Sequence, residues 1–460
     1  MMLVVIDLGK TNAKMLVFGG DGRIHWQART APSWIDHGPY RVLDEARLWA
    51  WLNASLAAAS AEYDLRGIML TTHGCTCALI GEDALANPIL DYESPLPADI
   101  TTAFARVAPP FDETYSPDLP LGLNFGKQVF WLSKIDPGLM ARTEAILCYP
   151  QYWNWRFTGQ ALSEVSYLGC HTHLWAPARN DFSSLVDTEG WRGKFPAFKR
   201  AGAVIGEYAL TGMDGRQRAL PIHNGVHDSN ACLHFYRSLG YESFSLISTG
   251  TWVIGFNTDC PLGALDQTRD MLANVTVDGA PIATARFMGG REFDVISQQA
   301  RCVVPVEAIA DLIGTGSFAL PSFAPGGPFP DGQGALLGPA PETELQRAAL
   351  ATLYVACMMS VMLNLLQSRN AIIVDGGLAN NATLLGLLAA LRPEQEVLRG
   401  GNAEGTAAGA AALAFESLGW QPFQETCSRV AALSVPGLQK YFAEWLDRAE
   451  VHAGKASRQR

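Results

Sequence analysis

The feature that most constrains the fold is a strand–turn–strand unit that occurs at the start of the chain and again near its middle. The first copy runs from apolar residues 3–6 through a polar turn to apolar residues 15–18. The second copy runs from residues 244–247 through a turn at 248–251 to residues 252–256. Short apolar, β-branched runs predict buried strands. Because the same unit opens both halves, we expect a duplicated α/β architecture.

The first turn has the composition of a phosphate site. Residues 7–14 read DLGKTNAK. Gly9 can adopt a positive φ and lets backbone N–H groups approach an anion closely. Donors and cations follow it: Lys10, Thr11, Asn12 and Lys14. Phosphate would repel Asp7 itself, but a carboxylate here suits a magnesium ion held through water. The turn therefore predicts a nucleotide site, and an ordinary β-hairpin with a polar tip is the alternative that it leaves open.

Two later turns are compatible with the same ligand. The second copy of the unit has a hydroxyl-rich glycine turn, Ser248-Thr249-Gly250-Thr251. Another turn, DGGLANN, follows a predicted buried strand at 371–374. Gly376 and Gly377 let the backbone approach a flat base or ribose, and the amide of Asn380 can hydrogen-bond to it. The turn at 248–251 and the first turn could hold one nucleotide from opposite sides.

The length and composition exclude several classes of protein. At 460 residues the chain fits two domains, which we place at 1–238 and 239–460. A hydrophobic fraction of 48% and a charged fraction of 17% are typical of a globular protein. The net charge of −11 argues against a nucleic-acid partner or an anionic membrane and favours a small-molecule enzyme.

The cysteines and the apolar segments predict a cytoplasmic protein. None of the nine cysteines forms a CxxC pair or a Cys/His cluster at zinc spacing, which favours a reducing compartment with thiols in the core. No export signal is visible at the start of the sequence. Residues 348–366 carry no charge and approach the length of a membrane span, but their polar residues and the strand that follows predict a buried helix.

Polar residues at two predicted strand ends are candidates for substrate binding. His73 and Gly74 follow an apolar run at 67–72, and strand ends in open α/β folds face the ligand crevice. His73 can contact a polar substrate or be a structural histidine. Asp91 and Glu93 follow a predicted strand at 88–90 and could accept hydrogen bonds from sugar hydroxyls. A solvated loop is the alternative for this second pair.

The region from 121 to 175 is rich in aromatic residues. Large rings dominate packing, so we assign Trp131 and Trp155 to the core. Gln128, Trp153 and His171 offer polar edges and a flat face for a carbohydrate, and we keep them as candidates for sugar binding.

The segment GVHDSNA at 225–231 follows a predicted strand and leads into a predicted helix. Asp228 at this elbow could accept a proton from a substrate hydroxyl within hydrogen-bond reach. Aspartate is also a common helix cap, and the residues alone slightly favour that role.

Four segments together resemble a known family. DLGKTNAK, GVHDSNA, STGTW and DGGLANN, in this order, are similar to segments of the FGGY carbohydrate kinases, and within them to the rhamnulokinase and fuculokinase type. The resemblance covers nearly the whole chain. It implies an α/β fold of two actin-like (ribonuclease H-like) domains, with a ligand cleft between them for ATP and a sugar.

The resemblance also implies roles for individual residues. It implies that Asp228 is the catalytic base and that Asp7 orients Mg²⁺. The residues expected to bind the nucleotide are Gly9, Lys10, Thr11, Asn12, Lys14, Thr249, Gly250, Thr251, Gly376, Gly377 and Asn380. Residue chemistry and resemblance together give the expected sugar site: His73, Gly74, Asp91, Glu93, Gln128, Trp153, His171, His227 and Asp228.

The predicted function is ATP-dependent phosphorylation of a ketose at a terminal hydroxyl, with a deoxy-ketohexulose such as L-rhamnulose or L-fuculose as acceptor. ATP, Mg²⁺ and a small sugar are the expected ligands, without nucleic acid or membrane, and whether the chain forms a homodimer stays open. The alternatives are a kinase for another ketose or polyol (ribulose, xylulose, erythrulose), a non-catalytic sugar-binding or regulatory protein, and a chaperone-type ATPase on the same fold.

Overall fold

The computed structural model describes residues 2–401, 404–420, 423–424 and 427–457. The strands, in chain order, are β1 Met2–Leu8, β2 Ala13–Gly19, β3 Ile24–Thr30, β4 Trp34–His37, β5 Tyr40–Leu43, β6 Leu65–Thr72, β7 Cys77–Ile80, β8 Leu85–Asn87, β9 Ala145–Cys148, β10 Trp175–Ala176, β11 Asp181–Phe182, β12 Val204–Thr211, β13 Gln217–His223, β14 Val226–His227, β15 Phe244–Thr249, β16 Val253–Asn257, β17 Met271–Val275, β18 Pro281–Phe287, β19 Phe318–Leu320, β20 Ala335–Leu337, β21 Ala371–Gly376, β22 Val397–Arg399 and β23 Ser428–Arg429.

The helices, in chain order, are α1 Glu45–Glu62, α2 Ala98–Ala105, α3 Phe111–Thr114, α4 Phe125–Ile135, α5 Leu139–Arg142, α6 Tyr149–Thr158, α7 Val165–Leu168, α8 Ser184–Thr188, α9 Asp228–Ser238, α10 Gly289–Ser297, α11 Val306–Thr315, α12 Glu344–Leu365, α13 Ala382–Leu391, α14 Gly405–Ser417 and α15 Leu438–Ser457. Short 3₁₀ turns lie at Arg192–Lys194, Leu262–Ala264, Gln267–Arg269 and Gly377–Asn380.

The chain divides into two compact units, and each is discontinuous in sequence. The first unit is drawn from Met1–Gly240, Ala273–Pro281 and Glu404–Gln424. The second is drawn from Tyr241–Leu272, Ile282–Ala403 and Glu425–Arg460. Two segments from the predicted second half therefore lie in the first unit. The separate roles expected for two domains, sugar binding and nucleotide binding, stay predictions.

The sheet of the first unit is built around the predicted hairpin. Its strand order is β12-β13-β6-β1-β2-β3, and β14 pairs with β6. β1 runs antiparallel to β2 and parallel to β6, so Asp7 lies opposite Lys14 on one side and Thr71 on the other. The hairpin is confirmed, with one difference: β1 continues through Asp7 to Leu8. Asp7 is therefore a strand residue with a fixed backbone.

The second unit repeats this arrangement, as predicted. Its sheet includes the order β18-β16-β15-β21-β22-β23. β15 runs antiparallel to β16 and parallel to β21, so the STGT turn and the DGG turn leave the same edge of the sheet. Thr249 and Gly376 face each other in the parallel register.

The long apolar segment forms the buried helix that the sequence predicts. α12 begins after Thr343, whose side chain forms a capping box with Gln346. Among the described residues it is the one helix long and apolar enough to cross a membrane, and 89% of its most apolar stretch is buried inside the protein. Seven of the nine cysteines are also buried.

One predicted strand is wrong. Residues 88–90 were expected to form a strand, but the strand is β8, which ends at Asn87. Pro88 has no N–H for a sheet ladder, and the side chain of Asn87 donates a hydrogen bond to its carbonyl at 2.7 Å. Leu90 makes only an isolated bridge to Val42.

Candidate active site

The turn after β1 is closed by its own backbone. Gly9 N donates to Asn12 O at 3.0 Å, and a Cβ at position 9 would lie 2.8 Å from that oxygen. Glycine is therefore required for close approach within the turn, and not for the positive φ that the sequence suggested. Lys14, on the returning strand, brings its Nζ to 3.9 Å from Asp7 Oδ2.

Besides Asp7 and Lys14, this turn is contacted by a further charged residue that sequence reasoning missed. Glu404, which directly precedes α14, accepts hydrogen bonds from Lys14 Nζ at 2.5 Å and from Arg29 Nη2 at 2.9 Å. It belongs to the part of the first unit that follows the second unit in sequence. Glu404 therefore holds two cations beside Asp7.

The Asp7 carboxyl lies in an environment that disfavours its charge. The residue is 9% exposed. Burial raises the pKa of Asp7 from 3.8 to about 7; Lys14 opposes the rise, and the carboxylates of Asp228 and Glu404 add to it. Asp228 is thus close enough to act on Asp7. A cation added at this carboxyl would relieve an electrostatic cost that the protein alone leaves in place.

These residues fit magnesium held mainly by water and substrate. Among the described residues, no group of three or more His, Cys, Asp or Glu side chains is arranged to hold a metal ion directly. Mg²⁺ keeps several waters and commonly takes only one or two carboxylates together with substrate phosphates. Asp7 is such a carboxylate.

Asp228 is the first residue of α9, and His227 occupies the N-cap position without a side-chain cap hydrogen bond. Asp228 Oδ1 accepts hydrogen bonds from Ser229 N at 2.6 Å and from Ser229 Oγ at 3.1 Å. The side chain is 33% exposed. This carboxylate is thus oriented by the adjacent residue and open to a ligand, and it is not the helix cap that the residues alone slightly favoured.

His227 and Gly74 support this elbow. His227 Nε2 lies 3.2 Å from Asp228 Oδ1, and its Nδ1 lies 3.1 Å from Asn230 Nδ2. Burial lowers the pKa of His227, so its ring is neutral near pH 7. A Cβ at Gly74 would lie 2.8 Å from His227 Nε2. Gly74 therefore makes room for the histidine that contacts Asp228.

His73 lies beside the same elbow. Its Nδ1 is 2.7 Å from Gly74 O, and its ring centroid is 5.4 Å from Tyr92 and 5.1 Å from Tyr149. Burial lowers the pKa of His73 to about 4, with Asp228 acting in the opposite direction. The imidazole is therefore neutral near pH 7 and able to donate or accept one hydrogen bond.

The acidic residues Asp91 and Glu93 differ in how far they are buried. Asp91 is 1% exposed, and its Oδ1 accepts hydrogen bonds from Lys10 Nζ and from Glu93 N. Glu93 is 55% exposed. The solvated-loop alternative therefore applies to Glu93 alone. Lys10, expected to face the transferred phosphate, instead contacts these two carboxylates.

Two sugar-site candidates belong to the core. Gln128 is fully buried, and its amide donates to the backbone carbonyls of Cys75 and Gly122. Trp153 is fully buried, with its ring centroid 5.0 Å from Tyr152. We assign both to packing, because the Gln128 amide is bonded within the protein and the Trp153 ring packs against Trp49, Tyr149 and Tyr152. Trp131 is fully buried as predicted, whereas Trp155 is half-buried.

His171 lies in a strained backbone position, with φ at 40°. Its ring nitrogens are 3.8 Å from Cys75 Sγ, and its carbonyl accepts a hydrogen bond from Asn124 Nδ2 at 2.7 Å. These contacts order the loop before β10, and a direct role in sugar binding stays a prediction.

The second unit has a groove of 1370 Å³ at its predicted turns. Four of the expected nucleotide-binding residues line it: Gly250, Thr251, Gly377 and Asn380. The opposite wall comes from α10 and the segment that follows it, residues 290–304.

Thr249 and Gly376 shape these turns from beneath. Thr249 Oγ1 donates to Asp375 O at 2.6 Å and accepts from Leu378 N at 3.0 Å. Gly376 has φ at 88°, and a Cβ there would lie 2.0 Å from Thr249 O. Any other residue at position 376 would push the two turns apart.

Comparisons with known proteins identify the family. The model for the C-terminal domain of carbohydrate kinase FGGY matches residues 241–422. A crystal structure of a carbohydrate kinase from Novosphingobium aromaticivorans is 32% identical to this chain, with 98% of each chain covered and a TM-score of 0.87. The chain belongs to the FGGY carbohydrate kinases. The resemblance of the four sequence segments is thereby confirmed.

Two further similarities, one in structure and one in sequence, concern this FGGY family member. A ligand-bound xylulose kinase from Lactobacillus acidophilus has a TM-score of 0.82 at 13% identity with both chains fully covered, which confirms the predicted two-domain, actin-like α/β fold. The L-fuculokinase of Salmonella typhi is 24% identical over 267 residues. That alignment spans 55% of this chain and 56% of the L-fuculokinase, just over half of each.

The assignment of Trp153 to packing predicts the effect of its substitution in this FGGY protein. Trp153→Phe should lower the free energy of unfolding by ~1–3 kcal/mol, because the smaller ring leaves a gap in a closed core. Urea unfolding measures the loss. The KM for a sugar substrate should stay within about twofold of wild type. A large rise in that KM with unchanged stability would return Trp153 to the sugar site.

Proposed function

We propose that this FGGY protein transfers the γ-phosphoryl group of ATP to a terminal hydroxyl of a ketose, and that the acceptor is a deoxy-ketohexulose such as L-rhamnulose or L-fuculose. The proposal rests chiefly on Asp228, a partly exposed carboxylate at the start of α9 that acts electrostatically on the buried Asp7. The similarity to L-fuculokinases supports the choice of acceptor.

Asp228 is assigned as the general base. It accepts the proton of the acceptor hydroxyl as the hydroxyl oxygen attacks the γ-phosphorus and ADP departs. Ser229 fixes one carboxylate oxygen of Asp228 through two hydrogen bonds, and His227 Nε2 lies within 3.2 Å of the same oxygen. The carboxylate therefore keeps one orientation without the entropy cost of ordering it at each turnover.

Asp7 and the turn after it are assigned to the transferred phosphate. Asp7 would hold Mg²⁺ through water, where the ion neutralises charge on the phosphates. Lys14 lies between Asp7 and Glu404, so its ammonium is fixed beside the reacting group. Thr11 and Asn12 supply the remaining backbone and side-chain donors, and Gly9, whose N–H closes the turn, lets the backbone approach the phosphate.

The groove of the second unit is assigned to the nucleotide. Thr251 offers a backbone N–H and a hydroxyl donor for phosphates, and Gly250, whose N–H donates to Trp252 O at 2.8 Å, lets the backbone approach them. Gly377 and Asn380 border the space for adenosine. Residues 248–251 carry no charged side chain, and Arg291 and Arg301 on the opposite wall of the groove supply positive charge that can face the phosphates.

A panel of ketoses tests the function. Purified protein is mixed with ATP, Mg²⁺ and L-rhamnulose, L-fuculose, ribulose, xylulose or erythrulose, and ADP release is followed by a coupled assay. We expect one deoxy-ketohexulose to give the highest kcat/KM. Highest activity with another ketose would replace the acceptor only. ADP release that no sugar accelerates would favour an ATPase, and binding of a sugar without ADP release would favour a non-catalytic protein.

Glu404 gives a prediction about pH. Its negative charge helps to raise the pKa of Asp7, so Glu404→Gln should lower that pKa and move the acid limb of the kcat/KM profile down by about half a pH unit. Glu416→Gln is the control. It removes a carboxylate from the same segment, but Glu416 pairs with His234, whose Nε2 lies 3.1 Å away. An unmoved acid limb in Glu404→Gln would separate Glu404 from the function of Asp7.

A further inference from the structure

The two lysines of the first turn have different surroundings. Lys14 lies between Asp7 and Glu404. Lys10 Nζ donates to Asp91 Oδ1 and lies 3.7 Å from Glu93 Oε2. It also lies 3.6 Å from the centroid of the Trp34 ring and 4.7 Å from that of Tyr92. Two carboxylates and two aromatic faces therefore surround the Lys10 ammonium.

These surroundings are unsuited to a triphosphate. Asp91 and Glu93 carry two negative charges against Lys10 and Arg41, whose Nη1 lies 3.7 Å from Asp91 Oδ2. The four charges balance, so the group has no net attraction for an anion, and its carboxylates repel phosphate at short range. Burial lowers the pKa of Lys10 while Asp91 opposes the fall, as expected of an ammonium held by a buried partner.

The cluster around Lys10 lies next to His73, on which the proposed base Asp228 also acts. The Tyr92 ring contacts both Lys10 and His73. The charges of Lys10 and Asp228 both act on the imidazole of His73. Lys10 therefore lies near the same histidine as the proposed base, and Asp91 holds its ammonium there.

We propose that Lys10 is a specificity-determining residue of the acceptor site, and that with Asp91 it selects an uncharged polyhydroxy acceptor over an acidic one. The inference rests on the proposed function. A hydroxyl can donate its proton to a carboxylate and accept a hydrogen bond from an ammonium at once. Asp91 Oδ2 is buried without a hydrogen-bond donor, so a ligand hydroxyl would supply the one that it lacks. A substrate carboxylate could donate nothing to Asp91 Oδ2 and would meet a group of charges with no net attraction for an anion.

Substitution of the two lysines in parallel tests the assignment. We expect Lys10→Met to raise the KM for the best ketose by ~10-fold or more and the KM for ATP by less than about threefold. Lys14→Met should show the opposite split, with the larger effect on kcat and on the KM for ATP. Lys440→Met, which removes an exposed ammonium from α15, is the control. A larger effect of Lys10→Met on the KM for ATP would overturn the inference.

Two further measurements keep the outcomes separate. Lys10→Gln retains a donor and a similar length, so it should fold where Lys10→Met does not, and it should show the same KM split at smaller size. The wild-type protein should phosphorylate an aldonate such as gluconate at least ~100-fold less efficiently than its best ketose. Efficient phosphorylation of gluconate would overturn the inference and leave the kinase assignment intact. Absence of turnover with every ketose would overturn both.

Discussion

Asp228→Asn should lower kcat for ketose phosphorylation by about 10²–10⁴-fold, the range associated with loss of a general base. The amide keeps the shape of the side chain and can accept the hydrogen bond from Ser229 N, so the start of α9 should be unchanged. Binding of ATP should stay within about threefold of wild type, because the groove that we assign to the nucleotide lies in the second unit. Steady-state kinetics and calorimetric titration with an ATP analogue measure the two quantities.

Asp278→Asn is the matched control for this substitution. Asp278 is an exposed carboxylate of the first unit that pairs with Arg200 and Arg237 at 3.5 and 3.6 Å. Its replacement should leave kcat within about twofold. Retention of more than about a tenth of wild-type kcat by Asp228→Asn would be incompatible with a general base.

Asp7→Asn should abolish most activity and at the same time stabilise the protein at alkaline pH. The pKa of Asp7 is raised from 3.8 to about 7, chiefly by burial. Below about pH 4 the carboxyl is protonated in both folded and unfolded chains and costs nothing. Between pH 4 and pH 7 the folded protein holds a proton that the unfolded chain has lost, so stability falls as pH rises.

Above pH 7 the wild-type protein bears the full cost, which for a shift of this size is ~4 kcal/mol. The asparagine of Asp7→Asn carries no charge, so the variant does not bear this cost. Urea unfolding should therefore show Asp7→Asn more stable than wild type at pH 8 and equal to it at pH 4. Asp214→Asn is the control, because a backbone hydrogen bond from Arg216 lowers the pKa of that exposed carboxyl. Equal stability of Asp7→Asn and wild type at pH 8 would contradict a raised pKa of Asp7 and an electrostatic cost of its buried charge.

Much of the scaffold follows from local patterns. The hairpin of β1 and β2, its repeat in β15 and β16, and the start of α9 at Asp228 all come from short apolar runs that meet glycine or polar turns. α12 is predictable because its uncharged run is too long for a strand, contains polar residues and leads into another strand. Such elements are specified by residues close to one another in the sequence.

The parts that escaped prediction depend on long-range contacts. Glu404 reaches Lys14 across 390 positions, and nothing in its own segment indicates a partner. Lys10 was expected at the phosphate because it follows Gly9, but the direction of a long side chain depends on Asp91 and Trp34. Trp153 has the chemistry of a sugar platform and of a core residue alike, and only its complete burial separates the two.

The return of the chain to the first unit after the second determines when that unit can be completed during translation. α14 packs against α9 so closely that a Cβ at Gly409 would lie 1.8 Å from Ala231 O. A nascent chain that has emerged as far as Gly240 contains Asp7 and Asp228 but neither Glu404 nor α14. Since domains generally fold as units, most of the second unit must emerge from the ribosome before the turn after β1 acquires the carboxylate of Glu404 beside Lys14.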